Sequence, residues 1–138
     1  MQATIATFQR ILALSFLAAG TLALTSPLTA QETITPIMTH TLAAASSNEA
    51  LMYTVDFPPG FSSPIHRHDA QVSVYVLEGS VVMQVKGGKE LTLGPGQSFY
   101  ENPNDIHVVS RNASNSKPAK VLVFLIHKNG TPLVIPVK

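Results

Sequence analysis

The chain has 138 residues, no cysteine and a formal net charge of +1. That length fits one domain, and the missing thiols exclude disulfides, thiol catalysis and lipid attachment through an N-terminal cysteine. Near-neutral charge argues against nucleic acid or an anionic membrane surface as a partner.

Taken in order, the chain opens on a targeting pattern. Arg10 supplies a weak positive start, Ile11 to Leu24 is an uncharged apolar run, and Pro27 breaks it. Thr29-Ala30 before Gln31 offers a small residue for cleavage, as in a secretory signal peptide. The run is shorter than the ~20 residues a spanning helix needs, which favours export with cleavage over a membrane anchor. The expected organisation is a signal peptide over 1–30, formed as a helix, a leader with an edge strand over 31–48, and one β-domain over 49–138. The expected location is periplasmic or secreted. Loss of 1–30 takes Arg10 with it, so the mature chain carries no net charge before histidine.

After residue 30 no helical periodicity is visible. Gln31 to Pro36 reads as a loose leader, and Met38 to Leu42 alternates as a first strand. Glu49 to Phe57 is rich in β-branched and aromatic residues and ends at Pro58-Pro59-Gly60. Gln71 to Glu78 is the clearest strand, with Val72, Val74 and Val76 on one face and Gln71, Ser73, Tyr75 and Leu77 on the other. Glu78-Gly79-Ser80 connects tightly into Val81 to Val85. Leu91 to Leu93, Gln97 to Glu101, Ile106 to Ser110, Ala119 to His127 and Thr131 to Val137 complete the set, divided by Gly, Pro and Asn turns. Many short strands with such turns predict an all-β sandwich or barrel. The mouth of such a barrel is a usual place for a small-molecule site.

One stretch carries chemistry. His66 and His68 stand two residues apart after the turn-rich loop from Gly60. On a strand such residues share a face, roughly 6.6 Å apart at a rise of about 3.3 Å per residue. Two imidazoles so placed can converge on one ion through bonds of about 2.1 Å. The plainer alternative is a solvated pair at a strand edge, and spacing alone does not choose.

The chain from about residue 50 to its end resembles a single-domain cupin, a double-stranded β-helix or jelly-roll barrel. The first cupin motif runs Gly, five residues, His, one, His, three or four, Glu, six, Gly; Gly60, His66, His68 and Gly79 fall on it. The second runs Gly, five residues, Pro, one, Gly, two, His, three, Asn; Gly96 and His107 match, with Asn102 and Asn104 in the Pro and Gly places. Two departures stand out. Val72 occupies the glutamate position, and Arg111 the final asparagine position, with Asn112 one residue later.

The resemblance implies a divalent metal ion (iron, zinc, manganese, nickel or copper) held by His66, His68 and His107. Loss of the glutamate removes a negative charge and should favour zinc or copper over harder ions such as manganese. Two residues are candidates to complete the set. Gln71 adjoins the lost glutamate and has an amide oxygen, but alternation turns it away from the histidines, so it reaches inward only through a bulge. Glu101 precedes His107 by six residues with a turn between, so alternation does not fix its face; it is a candidate ligand or a catalytic acid or base. His40 and His127 read as structural or surface residues, and Tyr100 and Arg111 as packing and solvated residues. No phosphate loop and no Gly-x-Ser-x-Gly elbow occurs.

The expected function is therefore an exported metal-binding cupin acting on a small molecule, with oxygenase-type oxidoreductase chemistry as the leading enzymatic expectation. The alternative is a non-enzymatic module that binds a small ligand or the metal itself. The resemblance also implies a homodimer, with no membrane partner after cleavage.

Overall fold

The computed structural model describes residues 31–42 and 47–138; the expected signal peptide lies outside them. Ten strands follow in chain order: β1 (Thr33–Thr41), β2 (Asn48–Phe57), β3 (His66–Arg67), β4 (Ala70–Glu78), β5 (Val81–Val85), β6 (Leu91–Leu93), β7 (Ser98–Glu101), β8 (Ile106–Asn112), β9 (Ala119–Lys128) and β10 (Ile135–Pro136). They form two five-stranded sheets, ordered β1-β2-β9-β4-β7 and β10-β3-β8-β5-β6. All pairings are antiparallel. This is the all-β sandwich that the turns predict, in the jelly-roll form that the cupin resemblance implies.

Strict alternation builds the first sheet. Val72, Val74 and Val76 of β4 pair with Leu125, Val123 and Val121 of β9, all buried between the sheets. The same β9 residues pair on their other side with Leu51, Tyr53 and Val55 of β2. Residues directly opposite on antiparallel strands share a face, so inward rows cross the sheet. One runs Leu51, Leu125, Val72, Glu101; the next runs Tyr53, Val123, Val74, Phe99.

Two strands differ from expectation. The leader is not loose, because β1 starts at Thr33 and pairs along β2 from Asp56 to Glu49. Pro36 cannot donate to a ladder, and the register shifts between Pro36 and Met38; an edge strand tolerates both. At the other end, β10 shrinks to Ile135–Pro136, since Pro132 and Pro136 lack the donors a seven-residue strand needs.

Two turns explain motif residues. Gly79 has φ +68°, and a Cβ there would lie 2.5 Å from the Pro118 carbonyl oxygen, so only glycine fits between β4 and β5. Asn104 stands where the family motif has glycine and also has a positive φ, 67°. Asparagine is among the few side chains that tolerate this conformation, so the turn survives the substitution.

Candidate metal centre

His66 and His107 are direct cross-strand partners on β3 and β8. His68 follows two residues later, and the three rings converge between the sheets. Ring centroids lie 5.0 Å apart for His66 and His68 and 5.2 Å apart for His66 and His107. One nitrogen from each lies within 4.8 Å of the others, and all three residues are buried. Phe99 stacks on the His107 ring at 5.7 Å and fixes its plane.

Backbone carbonyls orient two of the rings. His66 Nδ1 donates to Pro64 O at 2.7 Å, and His68 Nδ1 donates to Leu133 O. A carbonyl only accepts, so Nδ1 carries the proton in both rings and Nε2 keeps its lone pair. This is the arrangement by which ligating histidines are usually held. Burial lowers the pKa of His68, and burial together with His66 and His68 takes His107 down to about 3. Neutral imidazole is the form that binds metal.

Glu101 is the polar residue that spacing left undetermined. It pairs with Val72 across β7 and β4 and is 2% exposed. The family glutamate position holds valine, yet a carboxylate enters the same interior from the strand directly opposite. Glu101 Oε2 lies 3.9 Å from His68 Nε2, and Oε1 lies 3.4 Å from His107 Nδ1. Burial, with a smaller push from Asp105, raises its pKa to about 7.

These groups pass a physical test for an ion. Among the described residues Glu101 Oε2 and the His107 nitrogens are buried without a well-formed hydrogen bond, His107 keeping only a Glu101 oxygen at 3.4 Å and a weak contact to the Val109 backbone. Each such orphan costs about 1–3 kcal/mol. Bonds of about 2.1 Å allow two ligands of one ion to stand up to about 4.2 Å apart. The Glu101–His68 separation already lies inside that limit; three nitrogens on one ion stand at most about 3.6 Å apart, so the histidines, now within 4.8 Å of one another, close by up to about 1 Å as they bind.

The structure does not bring Gln71 to this group. The β4 register runs unbroken from Ala70 to Val76, so no bulge turns Gln71 inward. It is exposed on the outer face, opposite Ile126. His40 is exposed on β1, and His127 is buried in a separate pair with Glu49 at 3.0 Å. Tyr100 is exposed; Arg111 lies outside the barrel interior, 3.8 Å from Glu90.

The displaced asparagine has a local cause. Gln84 pairs with Val109 but Val85 pairs with His107, so β8 carries one extra residue just after His107. A bulge reverses which side chains face inward, and Ser110 and Asn112 are buried where unbroken alternation would place Val109 and Arg111. Asn112 Nδ2 reaches the carbonyls of Phe57, Pro58 and Lys117, and its Oδ1 accepts from Ser114 N. It ties together the loops at this end of the barrel. The signal for it in the sequence was the one-residue offset itself.

Around the histidines a cavity of about 50 Å³ opens to solvent. Its walls include Val55, Phe57, Val74 and Met83, with Tyr53 and Glu32 adding polar groups.

A family model described as "Cupin domain" matches residues 53–125, more than half of the chain. The chain belongs to the cupin family. Among solved structures this cupin is similar to TT1209 from Thermus thermophilus, at 28% identity and a TM-score of 0.55, over 69% of this chain and 82% of that one. It is also similar to the DMSP lyase DddQ from Ruegeria pomeroyi DSS-3, at 24% identity and a TM-score of 0.57, over 67% of this chain. The chain spans 45% of that lyase's length. An oxalate oxidase in complex with the substrate analogue glycolate shares 19% identity, with a TM-score of 0.59 over 77% of this cupin and 55% of the oxidase. These two enzymes share the fold. A search of curated protein sequences returns no significant match.

Proposed function

We propose that this cupin binds one divalent transition-metal ion through His66, His68, His107 and Glu101, and acts with it on a small molecule that enters the cavity. The observation that carries this reading is the convergence of buried groups: one nitrogen from each of His66, His68 and His107 lies within 4.8 Å of the others, and the unpartnered Glu101 Oε2 lies 3.9 Å from His68 Nε2. Three neutral imidazoles and one carboxylate suit iron, manganese, nickel, copper or zinc. The missing motif glutamate slightly favours a purely binding module; Glu101, directly opposite Val72, supports the fuller ligand set instead.

When bound, such an ion supplies a Lewis acid and a coordination site for substrate or dioxygen. The chain's own residues do the rest. Pro64 and Leu133 carbonyls hold two imidazoles in one tautomer. Glu101 holds a proton in the metal-free protein near neutral pH and gives it up when the ion takes its place. The apolar walls of Val55, Phe57, Val74 and Met83 would surround the body of the substrate. An oxygenase-type reaction is the enzymatic reading we favour.

Metal analysis of protein purified without added metal, followed by oxygen-uptake assays on the reloaded protein, tests the proposal. One ion per chain that disappears in a His66→Ala, His107→Ala variant supports the centre. A content unchanged by those substitutions contradicts it. Export remains part of the proposal on the strength of Arg10 and the Ile11 to Leu24 run, and N-terminal sequencing of periplasmic protein checks it. The homodimer reading is supported by Tyr75, Leu77 and Tyr100, exposed on the outer face of the first sheet, and sedimentation tests it.

A further inference from the structure

The cavity carries a charge pattern that the metal reading does not use. No lysine or arginine lines it among the described residues. Arg67 sits between His66 and His68, but alternation turns it outward, where its guanidinium donates to Asn104 Oδ1. Arg111 is turned outward toward Glu90. The charged groups that do reach the cavity are both carboxylates: Glu101 at the histidines, and Glu32, whose Oε2 accepts from Ser63 Oγ at 3.2 Å. Tyr53 projects inward from β2 and is 4% exposed. Burial, with the charges of Glu101 and Glu32, raises its pKa, so the phenol stays protonated and can donate.

We infer that the cavity selects a small uncharged molecule with an apolar body and an acceptor oxygen that the Tyr53 hydroxyl holds, and that it discriminates against carboxylates. The inference rests on the metal reading above. A carboxylate ligand brought into this space meets Glu32 and finds no cation besides the ion, whose charge Glu101 already halves. A neutral ligand loses nothing to that field and covers Val55, Phe57, Val74 and Met83. Tyr53 would then be a substrate-positioning residue.

Benzamide and benzoate have nearly the same shape and differ in charge, so they separate the two cases. The protein is first loaded with cobalt(II), whose visible spectrum reports the ion's surroundings, and each probe is then titrated in. Benzamide should bind at least about tenfold more tightly than benzoate. Tyr53→Phe should weaken benzamide by up to about tenfold, the worth of one hydrogen bond, with the cobalt spectrum before titration unchanged. Glu32→Gln, at the cavity mouth, should tighten benzoate several-fold and leave benzamide within twofold. Benzoate binding as tightly as benzamide, failure of both probes to perturb the cobalt bands, or a Tyr53→Phe variant that binds benzamide undiminished would overturn the inference. A protein that takes up no cobalt would overturn the metal reading instead.

Discussion

The two sheets of this barrel are built by different rules. The first, β1-β2-β9-β4-β7, alternates through β2, β4 and β9, and its interior rows are apolar except for Tyr53, Glu101 and, at one end, the His127–Glu49 pair. The second, β10-β3-β8-β5-β6, is short and bulged, and carries His66, His107, Ser110 and Asn112 on its buried side. The regular sheet supplies most of the apolar core, and the irregular sheet carries most of the candidate metal ligands. Glu101 is the point where the regular sheet contributes to the site, and it is destabilising there for that reason: a carboxylate buried among valines.

The comparison breaks most severely when the irregular sheet loses its imidazoles. His66→Ala with His107→Ala should reduce metal content to background, a loss of affinity of roughly a thousandfold or more if each ligand is worth several kcal/mol. Elemental analysis after dialysis reads this directly.

Glu101→Gln comes next and should have opposite effects on function and stability. Metal affinity should fall by roughly 10–100-fold. The metal-free variant should be more stable than wild type at pH 8. The Glu101 carboxyl has its pKa raised by burial to about 7, so the folded state holds that proton when the unfolded state has lost it. Its contribution is present below the ordinary carboxylate pKa and is lost as pH rises through about 7. The advantage of the variant should therefore be nearly absent at pH 4, grow toward pH 7 and level off at roughly 3 kcal/mol, seen as several degrees in Tm. Wild type should also release close to one proton more per ion bound than the variant at pH 6, and the difference should nearly vanish at pH 8.5.

A smaller effect is expected from exchanging the pair across the strands. Val72→Glu with Glu101→Val returns the carboxylate to the motif position while keeping one acid and one valine in the row. Metal affinity should recover to within roughly tenfold of wild type, since directly opposed Cβ atoms are only about 5 Å apart. Equilibrium dialysis against zinc measures it. If the exchange binds no better than Glu101→Gln, the two positions are not equivalent.

Asn112→Ala tests the structural side of the irregular sheet. It strips partners from three carbonyls and one amide, and should destabilise by about 2–4 kcal/mol in chemical denaturation. Metal affinity of the folded fraction should change by less than about threefold, because no contact to the histidines is lost. Least of all, Gln71→Ala should leave metal content and affinity at wild-type values, since its side chain lies on the outer face.

The same contrast explains what the sequence revealed. Where alternation is strict, residues announce their faces, and β2, β4, β5, β6 and β9 are all visible from pattern and turns. His66, His68 and His107 could be paired because motif spacing survives even where strands are short. Glu101 could not, because a turn separates it from His107 and its face depends on the β4–β7 register, a long-range pairing that no local pattern encodes. Asn112 was hidden for a related reason, since a bulge after His107 shifts the inward parity by one residue. The exposed strand β1 was underestimated at its start, because an edge strand facing solvent has no hydrophobic period to display. Tyr53 looked like any aromatic on a core strand; the fold is what places it in the cavity wall.

The most direct test is a crystal structure of the zinc-loaded protein, with the ion located by its anomalous scattering at the zinc edge. The account predicts one peak per chain, within about 2.0–2.3 Å of one nitrogen from each of His66, His68 and His107 and of a Glu101 oxygen. A peak bound elsewhere, or a histidine trio that stays empty in saturating zinc, would contradict it.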